Sequence, residues 1–192
     1  EGLLSALRQY SSPIKGTFAN SSGIFINSKY HYDLVRPGAS LYGLNPTPKQ
    51  NNPMAQVITL QAKIQQVRYI DSHQSVGYGA SHIAKKGSRI ATVPVGYADG
   101  YVRSASNRAH CFINGTKVPV IGRVSMDMIT LDVTELPENS THPGTPVEII
   151  GRNYSVDSFA ADSKTIGYEI LTSLGHRYQR YYIEDGKERE IN

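Results

Sequence analysis

Three short stretches decide how this sequence folds: SVGYGA at Ser75–Ala80, PVGYADGY at Pro94–Tyr101 and GRVSMD at Gly122–Asp127. Each places glycine together with tyrosine, arginine or aspartate beside a short run that contains β-branched residues. Such runs favour strands, and glycine lets the backbone turn sharply or come close to a ligand. The stretches therefore predict a region of short strands whose turns carry polar side chains.

The sequence around these stretches predicts further strands. Apolar runs indicate strands at residues 56–70, 89–95, 109–113, 118–124, 129–133 and 147–150, with a last one at 180–183. Asn114-Gly115 is a two-residue hairpin signal, because both central positions of that turn favour positive φ. Two helices are expected late in the chain, one with Asp157 as its N-cap and one over residues 168–174 that ends at Gly175.

A different pattern precedes residues 45–53, a segment with three prolines and three asparagines that predicts a linker or a long loop. Before it, a strand at 16–19, a turn with a short helix after Asn20, and a strand within 32–43 give the alternation of α/β proteins. The first eight residues have helical spacing, so the chain is expected to begin inside a helix, as a fragment would. We expect residues 1–50 and 51–192 to be separate domains, the second mainly β.

Composition excludes several classes of protein. The chain has 192 residues, 39% of them apolar, and no run of about 18 apolar residues that would cross a membrane. Its net charge is +4, but the basic residues are scattered, which argues against nucleic-acid binding and suits local sites for phosphate or carboxylate. The single cysteine, Cys111, excludes an internal disulfide, is expected to pack in a strand, and fits a reducing cytoplasm. We assign no metal site.

In this order, the three stretches resemble the carboxyl-terminal half of bacterial alanine racemases, and the resemblance extends from Asn20 to about Ile183. It implies a β-barrel-like domain at 51–192, preceded at 1–50 by the last strands of an incomplete (β/α)₈ barrel. It also implies pyridoxal phosphate as the cofactor and two-base proton transfer between L-alanine and D-alanine, which supplies D-alanine for peptidoglycan. The family's cofactor-binding lysine lies in a segment of the type VKANAYG that this chain lacks, so we expect a fragment that is inactive alone.

The resemblance assigns two groups of site residues. Arg36 would donate to the cofactor's ring nitrogen, and the residues expected to hold its phosphate are Ser21, Gly38, Ala39 and Tyr168. Thr17 stands where many relatives have a histidine that supports Arg36, so one partner of that arginine is expected to be lost. Taken alone, Arg36 could equally anchor a loop, and the segment around Ser21 could be an ordinary turn.

The second group belongs to the strand-rich region. The resemblance makes Tyr78 a catalytic base opposite the missing lysine, and gives the Met126 N–H to the substrate carboxylate, with Ser125 where relatives often have cysteine. An entrance corridor for small zwitterions would be lined by Tyr97, Arg103, Arg123 and Asp127, although ordinary strand packing and surface pairing explain these four residues equally well. By itself, Tyr78 is one of thirteen tyrosines and fits an ordinary β surface.

The resemblance also implies a homodimer in which the β domain of one subunit covers the barrel of its neighbour. Two alternatives stay open, and a third does not fit the residues. A racemase of serine or of a basic amino acid has the same fold, since specificity depends on the pocket lining. Pyridoxal-phosphate decarboxylases share the architecture, but they usually pair the ring nitrogen with a glutamate and use a catalytic cysteine, roles that Arg36 and Cys111 do not fit. The isolated chain could also act as a non-catalytic β module that dimerises.

Overall fold

The computed structural model describes residues 2–9 and 15–190 and divides the chain into two compact units, residues 1–58 and 59–192. The first unit contains two helices, α1 (Gly2–Arg8) and α2 (Ser21–Ile26), and two strands, β1 (Thr17–Asn20) and β2 (Leu34–Arg36). The strands pair in parallel, with Thr17 opposite Leu34. This is the α/β alternation that the sequence predicted, and the helix expected at the start of the chain is present.

Helix α2 begins where the sequence indicates a turn. The Asn20 side chain caps it by accepting a hydrogen bond from the Gly23 N–H at 3.0 Å. The strand predicted within residues 32–43 is shorter than that range, because β2 ends at Arg36 and a 3₁₀ turn follows at Ala39–Tyr42. Arg36 therefore lies at the carboxyl end of a parallel strand, close in sequence to that turn.

The second unit is mainly β, as expected. Seven strands form a curled antiparallel sheet in the order β3-β11-β8-β9-β10-β7-β4, and β5-β6 and β12-β13 are separate hairpins. The bounds are β3 Leu60–Lys63, β4 Gln66–Tyr69, β5 Gln74–Val76, β6 His82–Ala84, β7 Arg89–Val93, β8 His110–Ile113, β9 Thr116–Ile121, β10 Ile129–Asp132, β11 Pro146–Ile150, β12 Tyr181–Glu184 and β13 Lys187–Glu190. Helices α3 (Val156–Asp162) and α4 (Gly167–Ser173) lie between β11 and β12.

Alternating burial along the strands shows that one face of the central sheet lies in the core. Along β10, Ile129 and Leu131 are buried while the residues between and after them are partly exposed, the pattern of a sheet with one face in the core. Cys111 in β8 is fully buried, and this burial raises the pKa of its thiol to about 12. The expectation that Cys111 is a packing residue is therefore confirmed.

Several local expectations are confirmed and others are wrong. Asn114 and Gly115 both have positive φ and join β8 to β9, as predicted. The strand expected over residues 56–70 is two strands, β3 and β4. Asp157 is not the N-cap of α3; Ser155 is, through its side chain and the Ser158 N–H. The second helix ends at Ser173, before Gly175, and its C-cap Leu174 is extended.

Candidate active site

The residues that the sequence assigns to the site fall in both units. In residues 1–58, Arg36 is held by two acceptors from β1: its Nη1 donates to Thr17 Oγ1 at 2.9 Å and its Nη2 to the Phe18 carbonyl at 3.3 Å. The expectation that one partner of Arg36 is lost at position 17 is therefore wrong, because the threonine hydroxyl accepts a bond from Arg36.

Ser21 is the centre of a small polar cluster at the start of α2. Its side chain is buried, and its Oγ accepts hydrogen bonds from the Gly38 N–H at 2.9 Å, the Ser40 N–H at 3.3 Å and the Ser40 hydroxyl at 3.2 Å. All of these bonds use Ser21 as an acceptor, so its own O–H is available to a further acceptor. Ala39 begins a 3₁₀ turn, which leaves its N–H without a partner in that turn. The structure thus brings Ser21, Gly38 and Ala39 together.

A second feature of this unit is an ion pair between α1 and the start of β2. The Asp33 carboxylate accepts from the Gly16 N–H at 2.8 Å and pairs with Arg8. The hydrogen bond from Gly16, together with Arg8, lowers the pKa of that carboxyl. No pattern in the sequence singled out this pair, which connects residues far apart in the chain and positions the start of β2.

In the second unit, Tyr78 lies in the turn between β5 and β6, with 72% of its surface exposed. Gly77 and Gly79 on either side have φ of 72° and 68°, which L side chains rarely adopt. A Cβ added to Gly79 would lie 3.1 Å from the Arg123 guanidinium carbon. The glycines therefore let the Tyr78 turn pack directly on Arg123, another predicted site residue.

Asn107 fixes that arrangement, and sequence reasoning missed it. Its Oδ1 accepts from the Gly122 N–H at 2.6 Å, and its Nδ2 donates to Ser81 Oγ at 3.1 Å. It thereby joins the Tyr78 turn to the segment that carries Arg123. The signal available in the sequence was weak: Asn107 has φ of 56°, and asparagine is one of the few residues that adopt this region readily.

Met126 lies in a loop that packs on the turn of Tyr97. The Met126 carbonyl accepts from the Ala98 N–H at 2.9 Å, and the Ser125 carbonyl accepts from the Tyr97 N–H at 3.1 Å. Ser125 Oγ closes the loop from the other side through the Met128 N–H and carbonyl. Within the part of the chain that the structure describes, the Met126 N–H donates to no protein acceptor, so it is available to a ligand.

The corridor residues differ in how firmly they are held. Asp127 accepts from Arg177 Nη1 at 2.7 Å, and Arg177 Nε lies 3.3 Å from Oδ1 of the buried Asp99. The hydrogen bond that Arg177 donates to Asp127, and then the charge of Asp99, raise the pKa of Arg177. Arg103 is exposed at the surface, in the turn that leads to Asn107. Sequence reasoning did not identify Arg177, because its partners lie fifty and more residues away.

Tyr168 is on the first turn of α4, half exposed, and its carbonyl accepts from the Thr172 hydroxyl at 2.8 Å.

An open groove of about 600 Å³ lies between β4 and residues 138–143, and none of the predicted site residues lines it. Among residues 2–9 and 15–190, no helix is long and apolar enough to cross a membrane, and no cluster of three or more histidine, cysteine or acidic side chains could hold a metal ion.

Comparison with known proteins gives a consistent result. Residues 57–182 match the model of the alanine racemase C-terminal domain, and residues 1–46 match that of the N-terminal domain. An alanine racemase of Rhodospirillum rubrum is 55% identical over 169 residues, which is 88% of this chain and 45% of that protein. The chain spans about half the length of the curated relatives it matches.

Solved structures agree with the sequence matches. The alanine racemase of Bartonella henselae, with covalently bound pyridoxal phosphate, superposes with a TM-score of 0.84 at 42% identity, covering 95% of this chain and 51% of that one. The alanine racemase of Bacillus anthracis, with bound L-Ala-P, gives 0.86 at 31% identity, covering all of this chain and 51% of that one. In both structures the matched region is about half of the protein.

Proposed function

Because the chain belongs to the alanine racemase family, we propose that it forms the carboxyl-terminal part of a pyridoxal-phosphate-dependent alanine racemase, which interconverts L-alanine and D-alanine. The observation that carries the proposal is that one unit holds both the exposed Tyr78 turn and the available Met126 N–H, in a chain whose relatives are named alanine racemase. In this proposal the chain is part of a longer polypeptide, the intact enzyme. Residues 1–50 are a barrel remnant and residues 51–192 are the β domain.

The first unit fits the cofactor. Ser21 can donate its O–H to a phosphate oxygen, and the Ala39 N–H and the open space beside Gly38 leave room for an anion there. Arg36 would donate to the ring nitrogen from the position that Thr17 and the Phe18 carbonyl give it. A guanidinium keeps its proton at neutral pH, so it would leave that nitrogen unprotonated. The family resemblance also assigns Tyr168 to the phosphate.

When bound, pyridoxal phosphate supplies an electron-withdrawing group that makes the α-hydrogen of alanine acidic. The Tyr78 hydroxyl oxygen takes this proton from one face of the α-carbon or delivers it there, and the lysine outside this chain serves the other face. The Met126 N–H binds the substrate carboxylate and so fixes which face Tyr78 meets. Tyr97, Arg103, Arg123 and Asp127 line the corridor to the site and admit a small zwitterion.

The intact enzyme is proposed to be a homodimer in which Tyr78 and Met126 of one subunit act with Arg36 and Ser21 of the other. The exposure of Tyr78 supports this, because a base on an open turn needs a surface against which to act. We further propose that the enzyme works in the cytoplasm and supplies D-alanine for peptidoglycan, as the family resemblance implies.

The experiment is racemisation of L-alanine by the intact enzyme and by its Tyr78→Phe variant. Loss of the phenol oxygen removes one acid/base group, so kcat should fall about 10²- to 10⁴-fold, the range of general acid–base catalysis. Tyr69→Phe changes another exposed tyrosine, in β4, and is the matched control. The chain on its own, mixed with pyridoxal phosphate and dialysed, should retain no cofactor absorbance and form no D-alanine.

Two results would contradict the proposal. Racemisation that proceeds at the wild-type rate in Tyr78→Phe would show that Tyr78 is not the base. An intact enzyme that inverts serine or lysine faster than alanine, measured side by side, would keep the mechanism and replace the substrate.

A further inference from the structure

We propose that Arg177 is a positioning residue that keeps the loop of Ser125, Met126 and Asp127 able to bind a carboxylate. The inference rests on the proposed function and deepens it, because it names what maintains the recognition of the substrate's carboxylate. Arg177 is assigned no contact with a reacting atom. It acts through the two aspartates that it contacts.

Three segments of the second unit meet at Arg177. The turn at residues 96–99 is closed by Asp99, whose Oδ2 accepts from the Gly96 N–H at 2.9 Å. The carbonyl of the same Asp99 accepts from the Gly175 N–H at 3.2 Å, which joins the segment after α4 to that turn. Arg177 adds the third connection, since its Nη1 reaches Asp127 at 2.7 Å.

The packing in this region leaves little space. A Cβ on Gly96 would lie 2.3 Å from the Met126 carbonyl oxygen, and a Cβ on Gly100 would lie 2.0 Å from the Ser173 carbonyl oxygen. The backbones of the three segments are therefore in direct contact. A change at Arg177 therefore reaches the Met126 loop through the Asp127 side chain, in a region where the backbones leave little room to adjust.

Charge gives Arg177 its specific role. Met126 offers an N–H that suits a carboxylate, but Asp127, the next residue, carries a negative charge that would repel the same ligand. Asp99 brings a second negative charge, and it is buried. Arg177 is the cation that both carboxylates contact, with Nε to Asp99 at 3.3 Å and Nη1 to Asp127 at 2.7 Å. Without it, two unbalanced negative charges would lie beside the proposed carboxylate site.

The shape of the guanidinium also matters. Nε and Nη1 lie on one planar group and point to two acceptors at once, which a lysine ammonium on a flexible stem does not reproduce. A lysine at position 177 would keep the charge and would reach one aspartate at a time. Arg177→Lys is therefore expected to keep part of the carboxylate affinity, and Arg177→Gln to lose most of it.

The test compares the intact enzyme with its Arg177→Gln variant. KM for L-alanine is expected to rise about five- to tenfold with a smaller change in kcat, because a charge near the binding loop is lost while the reacting groups stay. The inhibition constant of propionate, which has the carboxylate and no amino group, should rise by the same factor. That of alaninamide, which has no carboxylate, should stay unchanged. Arg108→Gln is the matched control, since the Arg108 side chain donates to the Asp162 carbonyl and forms no ion pair within the described residues.

A double variant separates charge from structure. If repulsion by Asp127 is the cause, Arg177→Gln combined with Asp127→Asn restores propionate inhibition towards the wild-type value. Equal losses for propionate and alaninamide, or no recovery in the double variant, would overturn the inference. An inactive wild-type enzyme would instead refute the proposed function, and the inference with it, before any variant is compared.

Discussion

At the scale of the residue, the contact between Thr17 and Arg36 shows how a smaller side chain can keep a functional group in place. Thr17 and Arg36 lie on neighbouring parallel strands, and β1 brings the threonine Oγ1 within 2.9 Å of Arg36 Nη1. The second acceptor, the Phe18 carbonyl, belongs to the backbone and does not depend on residue type. Side chain and backbone together fix the direction of the guanidinium.

Thr17→Val in the intact enzyme removes that hydroxyl and keeps the shape of the side chain. A single hydrogen bond contributes about 1 kcal/mol, so the dissociation constant of pyridoxal phosphate, measured by absorbance titration, should rise about fivefold. Thr17→Ser keeps the hydroxyl and should bind the cofactor as wild type does. Unchanged affinity in Thr17→Val would mean that the Phe18 carbonyl alone positions Arg36.

The residues that sequence reasoning found and those it missed differ in a physical way. Tyr78 and Met126 were assigned by the family resemblance, which local motifs of glycine and short strands carry, and their roles stay predictions. Asn107 and Arg177 contact partners far along the chain, and no local pattern marks such contacts. Thr17 was identified as a departure from the family, but whether its hydroxyl reaches Arg36 depends on the pairing of two strands, which the sequence alone did not provide.

At the scale of the element, the turn after β7 is shaped by the backbone of another loop. Gly96 has φ of −150°, an extended conformation that any residue adopts, so glycine is required there by space and not by strain. The Tyr97 and Ala98 N–H groups bond to the Ser125 and Met126 carbonyls. The turn and the loop therefore form one structural element of the site.

Gly96→Ala should push the turn after β7 away from the Met126 loop, because the alanine Cβ would lie 2.3 Å from the Met126 carbonyl oxygen. Overpacking of this kind costs about 1 to 3 kcal/mol of unfolding free energy, measurable by urea titration of the chain. Gly175→Ala is the matched control, since its Cβ would make an ordinary contact at 3.5 Å. Equal stability of Gly96→Ala and wild type would show that the loop moves aside freely.

Elements were predicted best where a local rule decides them. The hairpin at Asn114-Gly115 is confirmed: both residues have positive φ, which this type of two-residue turn requires. The caps of α3 and α4 were misplaced, since Ser155 competes with Asp157 for the same role and only the folded chain shows which one accepts the bond. The break between β3 and β4 was also missed, because an apolar run contains no mark of where a strand leaves the sheet.

At the scale of the whole molecule, the parallel strands of the first unit are more exposed than parallel strands normally are. Parallel strands are normally buried on both faces, yet all three residues of β2 are exposed in this unit. Leu34, Val35 and Phe18 together present apolar side chains at this pair. Further strands and helices are thus expected to cover β1 and β2 in the intact enzyme, in agreement with relatives about twice as long.

The proposed sharing of active sites between subunits makes a prediction that a single-subunit site does not. Tyr78→Phe removes the proposed base of the β domain, and Arg36→Ala removes the proposed cofactor contact of the barrel remnant. If each site combines Tyr78 of one subunit with Arg36 of the other, a mixed dimer of the two variants has one site with both defects and one with neither. Two nearly inactive proteins should then give an active mixture.

The expected recovery follows from random pairing. Co-expression of the two variants in equal amounts makes about half of the dimers mixed, and each mixed dimer has one intact site of two, so about a quarter of the wild-type racemisation rate should return. Tyr78→Phe with Tyr78→Phe/Arg36→Ala is the control, because every dimer then lacks the base in both sites. A mixture no more active than its components would place Tyr78 and Arg36 of one site in the same subunit.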